Sequence, residues 1–362
     1  MGTFLPLLVA MSAQNGLDFA SALFFAGVFN VVTALAFGIP MAVQPMKAIA
    51  AVALAEGLTA PQILAAGISV SALLLVLSLT GLVDWIQRNL PKSAIRGLQL
   101  ALGLSLAIRG LESITSTHAW FALDGYLPAL LAAFVCCAPI VTRRVPAALV
   151  IFGAGIVLAL VRKPELVHAL GLGLHLPAFA APSMQDFESA LPKAVLPQLP
   201  LTLLNSVIAV CALSADLFPD KPAAPKRVAL SVAAMNLVAG WFGGMPMCHG
   251  SGGLAGQVRF GARTGGSILI LGAAKILCGL FLGASLIALC AAFPASLLGV
   301  MLVISGVELA LVARDQHSRA DAFVVVATAA ACIGLGHIGL GLLLGLVLGG
   351  LLRLGWFRAE EG

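Results

Sequence analysis

The sequence predicts an all-α integral membrane protein whose fourteen membrane segments form an inverted repeat of seven and seven. Composition predicts the membrane class, because 60% of the 362 residues are hydrophobic and only 10% are charged, whereas soluble domains carry about 25% charged residues. A pair of matching Gly- and Pro-rich stretches predicts the repeat. A soluble protein of this size would need a polar surface that this composition cannot supply.

Apolar runs near 20 residues recur along the chain, and each is long enough to cross about 30 Å of hydrocarbon. The first set of segments is predicted near residues 2–15, 19–39, 45–58, 60–80, 93–111, 124–141 and 146–162. The second set is predicted near residues 194–214, 226–244, 250–261, 265–292, 294–312, 320–336 and 338–356. The chain therefore divides into a first repeat (1–162), a connecting loop (163–193) and a second repeat (194–362).

The positions of Lys and Arg support this count. With a cytoplasmic N-terminus, the cytoplasmic loops and tail hold 14 of the 20 basic residues: Arg88, Lys92, Arg96, Arg143, Arg144, Lys221, Lys226, Arg227, Arg259, Arg263, Arg314, Arg319, Arg353 and Arg358. The opposite side holds four: Arg109, Arg162, Lys163 and Lys193. This is the bias of the positive-inside rule. We therefore expect both termini to be cytoplasmic, in a bacterial inner (plasma) membrane.

Two pairs of stretches carry the internal repeat. NVVTALAFGIPMAVQPMKAIA, from Asn30, matches NLVAGWFGGMPMCHGSGGLAG, from Asn236, without a gap, and PKSAIRGLQL, from Pro91, matches PASLLGVMLV, from Pro294. The identical pairs are Asn30/Asn236, Val32/Val238, Gly38/Gly244, Pro40/Pro246, Met41/Met247, Pro91/Pro294 and Ser93/Ser296. The period is seven segments, and an odd period inserts the two halves with opposite orientation.

Each repeat is interrupted once, at GIPMAVQPMK (38–47) and at GMPMCHGSGG (244–253). These breaks predict that segments 3 and 10 are half-helices preceded by short extended stretches near the bilayer midplane, where inverted-repeat transporters bind substrate. Two half-helix N-termini that face each other would offer free N–H groups and positive dipole ends. Such an arrangement suits an anion, above all a dianion with tetrahedral oxygens.

The side chains at the two breaks give the candidate substrate-binding residues. Lys47 brings a full positive charge, Gln44 an amide, and Ser251 a hydroxyl that can cap its helix. Three glycines let the backbone approach a ligand closely, while Met46 either lines the site or packs. The complete set is Gln44, Met46, Lys47, His249, Gly250, Ser251, Gly252 and Gly253.

Other polar residues inside apolar segments have competing interpretations. Glu308 is the best candidate for a proton-coupling carboxylate, but it could instead neutralise Lys275. His249 could also titrate during transport, although such a residue is more often a satisfied hydrogen-bond donor. Asn30 and Asn236 are expected to pin helix contacts by hydrogen bonds. No metal site or other cofactor is predicted, because Cys248 and His249 lack further ligands.

The sequences at both breaks resemble those of a known family. GIPMAVQPMKAIAAVAL and GGMPMCHGSGGLAGQVRFGARTGG are similar to signature stretches of the molybdate transporter family, which is related to the SulP sulfate transporters. GTFLPLLVAMSAQNGL, PKSAIRGLQLALGL and SGVELALVARD also resemble that family. The resemblance implies a seven-plus-seven fold shared with uracil permeases and SulP transporters. It also implies uptake of molybdate, with sulfate as a chemically similar ligand.

We therefore predict a secondary active transporter of the molybdate oxyanion, embedded in the lipid bilayer, with a homodimer as one possible assembly. A gate domain of segments 5–7 and 12–14 is expected to move against a core domain of segments 1–4 and 8–11. The alternatives are a sulfate transporter with the same site and, from another class, an anion channel. A uracil-type permease is disfavoured, because Gly and Ser stand where a neutral base would need a carboxylate. No triad or metal set supports an enzyme, and no nucleic-acid partner is expected.

Overall fold

The computed structural model describes residues 4–82, 90–142, 147–169, 171–259 and 261–355. The first half contains α1 (Phe4–Asn15), α2 (Phe19–Phe37), strand β1 (Val43–Pro45), α3 (Lys47–Glu56), α4 (Ala60–Thr80), α5 (Lys92–Thr115), α6 (Tyr126–Thr142), α7 (Ala147–Arg162) and the single turn Leu166–Ala169. The second half contains α8 (Met184–Leu217), α9 (Pro225–Ala239), strand β2 (Met247–His249), α10 (Ser251–Arg259), α11 (Gly266–Phe281), α12 (Gly283–Ala291), α13 (Ala295–Ala310), α14 (Arg319–Gly334) and α15 (Ile338–Arg353). The predicted loop residues Arg88, Arg143, Arg144 and Arg358 lie outside the described residues.

Several of these helices are long and apolar enough to cross a membrane. Within the described ranges they are α2, α4, α5, α8 and α13 together with the 3-10 turn Leu311–Asp315 that extends it. The bent pair α11 and α12 would make a sixth if it forms one span. α1, α15 and the described parts of α6 and α7 are apolar but shorter. The chain is thus a multi-pass integral membrane protein, as its composition predicts.

α3 and α10 are short because each occupies only part of an interrupted segment. They contain 10 and 9 residues, which gives each a length of about 15 Å, or half the hydrocarbon thickness. β1 and β2 precede them and pair in antiparallel register, with Gln44 opposite Cys248. Both breaks therefore contain the extended stretch and the short helix that the sequence predicts.

Asn30 and Asn236 hold the two strands. Asn30 Oδ1 accepts a 2.8 Å hydrogen bond from the amide of Val43, and Asn236 Oδ1 accepts one of 2.6 Å from the amide of Met247. The expectation that these residues pin helix contacts is therefore corrected, because each holds the first residue of the following strand. The spacing is 13 residues in the first half and 11 in the second. Val43, and not Met41, is therefore the structural counterpart of Met247.

α8 begins ten residues before the predicted start of the second repeat, so part of the predicted loop 163–193 is helical. It runs for 34 residues and includes two π-helical stretches, Leu191–Val195 and Thr202–Ile208. Prolines inside a helix remove backbone donors and force such local rearrangements. The prolines of this helix are Pro192, Pro197 and Pro200.

A bend divides the segment predicted over 265–292. The axes of α11 and of residues Ser285–Ala291 differ by 89°, so the predicted segment is sharply bent rather than straight. The connecting loop explains the bend, because the amides of Gly173 and His175 donate to the carbonyls of Phe281 and Leu280 at 3.0 and 2.7 Å. Those contacts come from a loop more than 100 residues away, and the local sequence does not encode them.

α5 and α13 carry the second pair of matching stretches, and they pack closely against each other. Pro91 and Pro294 immediately precede α5 and α13, and Gly103 and Gly306 each lie twelve residues further on. A Cβ atom on Gly103 would lie 2.5 Å from the carbonyl oxygen of Gly306. The two backbones are therefore in direct contact at equivalent positions, as small residues permit in membrane helices.

Candidate anion-binding site

The β1–β2 ribbon places two helix starts in one region. Lys47 is the first residue of α3 and Ser251 the first residue of α10. The helices leave the ribbon from opposite ends, because the strands are antiparallel. The amide of Met46 continues the pairing with a 2.9 Å hydrogen bond to the carbonyl of Pro246. Gln44, Lys47, Gly250, Ser251 and Gly253 are all partly accessible, and Gly252 is exposed.

The start of α10 offers backbone donors. The amides of Gly253 and Leu254 donate to the carbonyl of Gly250 at 3.0 and 3.2 Å. Among the described residues, no acceptor bonds the amides of Ser251 and Gly252. A Cβ atom on Gly252 would meet nothing within 4 Å, so open space adjoins this first turn. A helix start of this kind binds anions through its free N–H groups and its dipole.

Gln44 lies over the same turn. A Cβ atom on Gly250 would lie 2.6 Å from Gln44 Oε1, and one on Gly253 would overlap Gln44 Nε2. Two of the three predicted glycines are therefore needed to admit this side chain, and the third, Gly252, borders the open space. The Gln44 amide thereby lies beside the free donors of α10.

Lys47 supplies the full positive charge of the region. In the described part of the chain its ammonium group makes no hydrogen bond and no ion pair. It interacts electrostatically with the Cys248 thiol and with the Glu308 carboxylate. Because a charge inside a membrane is costly unless it is paired, a largely buried lysine whose ammonium has no direct partner fits a site that receives an anion.

The start of α3 differs from that of α10, and sequence reasoning missed the residue responsible. Gln198 of α8 is buried, and its Oε1 accepts hydrogen bonds from the amides of Ala48 and Ile49 at 3.0 and 3.2 Å. Its Nε2 donates to Thr202 Oγ1 at 2.8 Å. Of the free N–H groups expected at the start of α3, those of Ala48 and Ile49 are therefore already satisfied in this conformation. The sequence signal for this cap was a glutamine within the apolar, proline-rich stretch LPQLP.

Two of the candidate residues have side chains without accessible surface. Met46 is 1% exposed and packs in the core. The His249 ring is 0% exposed, lies edge-on to Phe37 with 5.8 Å between ring centroids, and has its Nε2 3.0 Å from Ser231 Oγ. In this conformation neither side chain can contact a ligand in the open space, although the backbone of both residues shapes the ribbon.

Lys275 and Glu308 do not form a neutral pair in the described part of the chain. The Lys275 ammonium is buried and lies 3.7 Å from the ring centroid of Phe4, a cation–π arrangement. No ion pair joins it to Glu308 among the residues the structure describes. Glu308 is exposed on α13 and interacts electrostatically with Lys47. Glu308 therefore acts on Lys47 at a distance, with no ion pair between them in the described part of the chain.

Solved structures share this fold at low sequence identity. The transmembrane domain of a cyanobacterium bicarbonate transporter, BicA, superposes with a TM-score of 0.66 at 18% identity, over 95% of this chain and 93% of that chain. Murine solute carrier 26 family member A9, an anion transporter in the inward-facing state, gives 0.70 at 15% identity, over 99% of this chain and 67% of that chain. At these identities the similarity establishes the fold alone.

Comparisons with known sequences give matches that include both breaks of the candidate site. The profile of a family described as "Molybdate transporter of MFS superfamily" matches residues 1–106 and 190–309, which include both breaks. Molybdate transporter 1 of Arabidopsis thaliana is 39% identical over 92% of this chain and 82% of its own length. Molybdate transporter 2 of the same plant is 38% identical over 98% and 85%, and molybdate transporter 1 of Chlamydomonas reinhardtii is 35% identical over 96% and 88%. The chain is therefore a membrane transporter that belongs to the molybdate transporter family.

Proposed function

We propose that this protein is a secondary active transporter that carries molybdate between Lys47 and the start of α10. The observation that carries the proposal is the Lys47 ammonium, which has no hydrogen bond or ion pair in the described chain, while the Ser251 and Gly252 amides at the other helix start have no acceptor there. The relatives named molybdate transporters support the choice of substrate.

The charges and donors suit a tetrahedral dianion. Lys47 contributes one positive charge, and the start of α10 contributes about half a charge through its dipole. The Ser251 and Gly252 amides, the Ser251 hydroxyl and the Gln44 amide can each donate to a different oxygen. The buried side chains of Met46 and His249 support the ribbon, and Gly250 and Gly253 make room for Gln44. Sulfate has the same charge and shape and is expected to compete for this site.

We assign the moving parts to a core and a gate within a seven-plus-seven inverted repeat of fourteen segments. Tight pairs support the division: α2 packs on α11 and α4 on α9 in the core, whereas α5 packs on α13 and α14 in the gate. The ribbon, α3 and α10 belong to the core. Arg109 of α5 donates to the carbonyl of Ala55 in α3, which is a contact between gate and core that rocking would have to break.

Glu308 is the proposed coupling group, because it lies on the gate and acts electrostatically on Lys47 in the core. An ionised Glu308 competes with the substrate anion for Lys47. A protonated Glu308 removes that competition, so proton binding and anion binding favour each other, as linkage requires. The buried His249 is the second candidate.

The test is uptake of labelled molybdate into proteoliposomes, with and without an inward proton gradient. We expect saturable uptake that the gradient drives against the molybdate concentration difference and that unlabelled sulfate inhibits. Glu308→Gln is expected to keep uptake and lose its stimulation by the gradient. Flux that only follows the membrane potential, with no accumulation, would reject the carrier and favour a channel.

A further inference from the structure

Gln198 is a residue that the transport proposal does not use. It lies in α8, 150 residues from Ala48 in the sequence, and is 2% exposed. Its side-chain oxygen satisfies the second and third amides of α3, and its nitrogen is fixed by Thr202. Gln198 therefore caps α3 from another segment of the chain. The first amide that it satisfies belongs to Ala48, one residue after Lys47.

Two other helix starts in this protein use a charged cap. The carboxylate of Asp124 accepts hydrogen bonds from the amides of Ala295 and Ser296 at the start of α13, at 3.1 and 2.9 Å, and is paired with Arg162. The carboxylate of Asp18 caps α2 through the amide of Ala20. A carboxylate is the stronger cap, because it bonds N–H groups with charge assistance and complements the helix dipole.

We infer that Gln198 is a specificity-determining residue, whose neutral amide caps α3 without adding a negative charge at the helix start that carries Lys47, so that the ammonium stays available to a substrate anion. A carboxylate at this position could accept the same two amide hydrogen bonds, at the cost of burying its charge. It would also place a negative charge against the first turn of α3, beside Lys47, and would repel a dianion. The inference rests on the proposed function, since it concerns affinity for the same oxyanion.

The asymmetry of the two helix starts has a chemical consequence. α3 contributes the charge of Lys47, while its second and third amides stay bonded to Gln198. α10 contributes backbone donors and no charged side chain in its described first turn, SGGL. The substrate therefore meets a point charge on one side and hydrogen-bond donors on the other, a combination that favours a compact polyoxyanion over a neutral ligand.

The experiment compares Gln198→Glu and Gln198→Leu in the full chain. Equilibrium binding of labelled molybdate and the melting temperature are measured on the same purified samples. We expect Gln198→Glu to lose at least about 100-fold in affinity, because two like charges interact strongly in a partly buried site, and its melting temperature shows what burying the carboxylate costs the fold. Gln198→Leu, which removes the cap without adding charge, is expected to melt lower and to keep its affinity within about 10-fold.

If Gln198 were only a structural cap, the order of the two variants in molybdate affinity would be reversed. If Gln198→Glu binds molybdate like the unmodified protein while Gln198→Leu binds poorly, the inference is overturned. Should the Glu variant fail to fold, the Leu variant decides alone, since loss of affinity there contradicts the inference. Failure of the unmodified protein to bind molybdate would reject the proposed function, and this inference with it.

Discussion

Lys47→Ala is expected to reduce the affinity for molybdate by about 100-fold or more, which corresponds to about 3 kcal/mol for a charge pair in a partly buried site. Lys47 is the charged group at the start of α3, and its ammonium has no hydrogen bond or ion pair with the described residues. Removing it therefore breaks no hydrogen bond or ion pair in the described fold. The measurement is equilibrium binding of labelled molybdate to the purified protein, followed by uptake in proteoliposomes.

Lys47→Arg is the matched control, because it keeps the charge and the length of the side chain while changing the donor geometry. It is expected to retain saturable binding, with affinity reduced by about 10-fold or less. Equal loss in both variants would show that the effect comes from packing around α3. Full activity of Lys47→Ala would remove Lys47 from the site.

Gly252→Leu is expected to abolish saturable uptake. The leucine side chain would enter the open space beside the first turn of α10, in front of the Ser251 and Gly252 amides. Helix stability should not fall, because Leu is a better helix former than Gly by about 0.5–1 kcal/mol. The readouts are uptake of labelled molybdate and the melting temperature.

Gly256→Leu provides the control for that substitution. Gly256 lies one turn further along α10, and a Cβ atom there also meets nothing within 4 Å. The two variants therefore add the same side chain to the same helix, both without a backbone clash. Uptake is expected to persist in Gly256→Leu. Loss of uptake in both variants, or in neither, would show that the start of α10 does not hold the anion.

The interrupted segments could be predicted from the sequence because their signals are local. Proline and glycine at matching positions prevent continuous helices, and the structure contains a strand and a short helix at each break. The correspondence between the two strands was harder to predict from the sequence. The ungapped match equates Met41 with Met247, whereas the strands equate Val43 with Met247, because the first half holds two more residues between Asn30 and its strand.

The remaining features depend on contacts between distant parts of the chain. Gln198 reaches α3 across 150 residues, and the loop at residues 173–175 bends a segment that looks continuous. Whether Glu308 faces Lys47 or Lys275 depends on helix rotation, and a uniformly apolar helix carries little periodic information about rotation. The sequence therefore indicated which residues are polar at membrane depth but not which of them meet.

The most direct test of the site is a structure of the protein with molybdate bound, determined with the anomalous scattering of molybdenum. We predict a single strong molybdenum peak, placed so that the oxygens of the oxyanion lie within hydrogen-bond distance of the Lys47 ammonium and of the Ser251 and Gly252 amides, with Gln198 still bonded to α3. A peak away from α10, or a molybdate-saturated protein whose Lys47 remains without a partner, would contradict the proposed site.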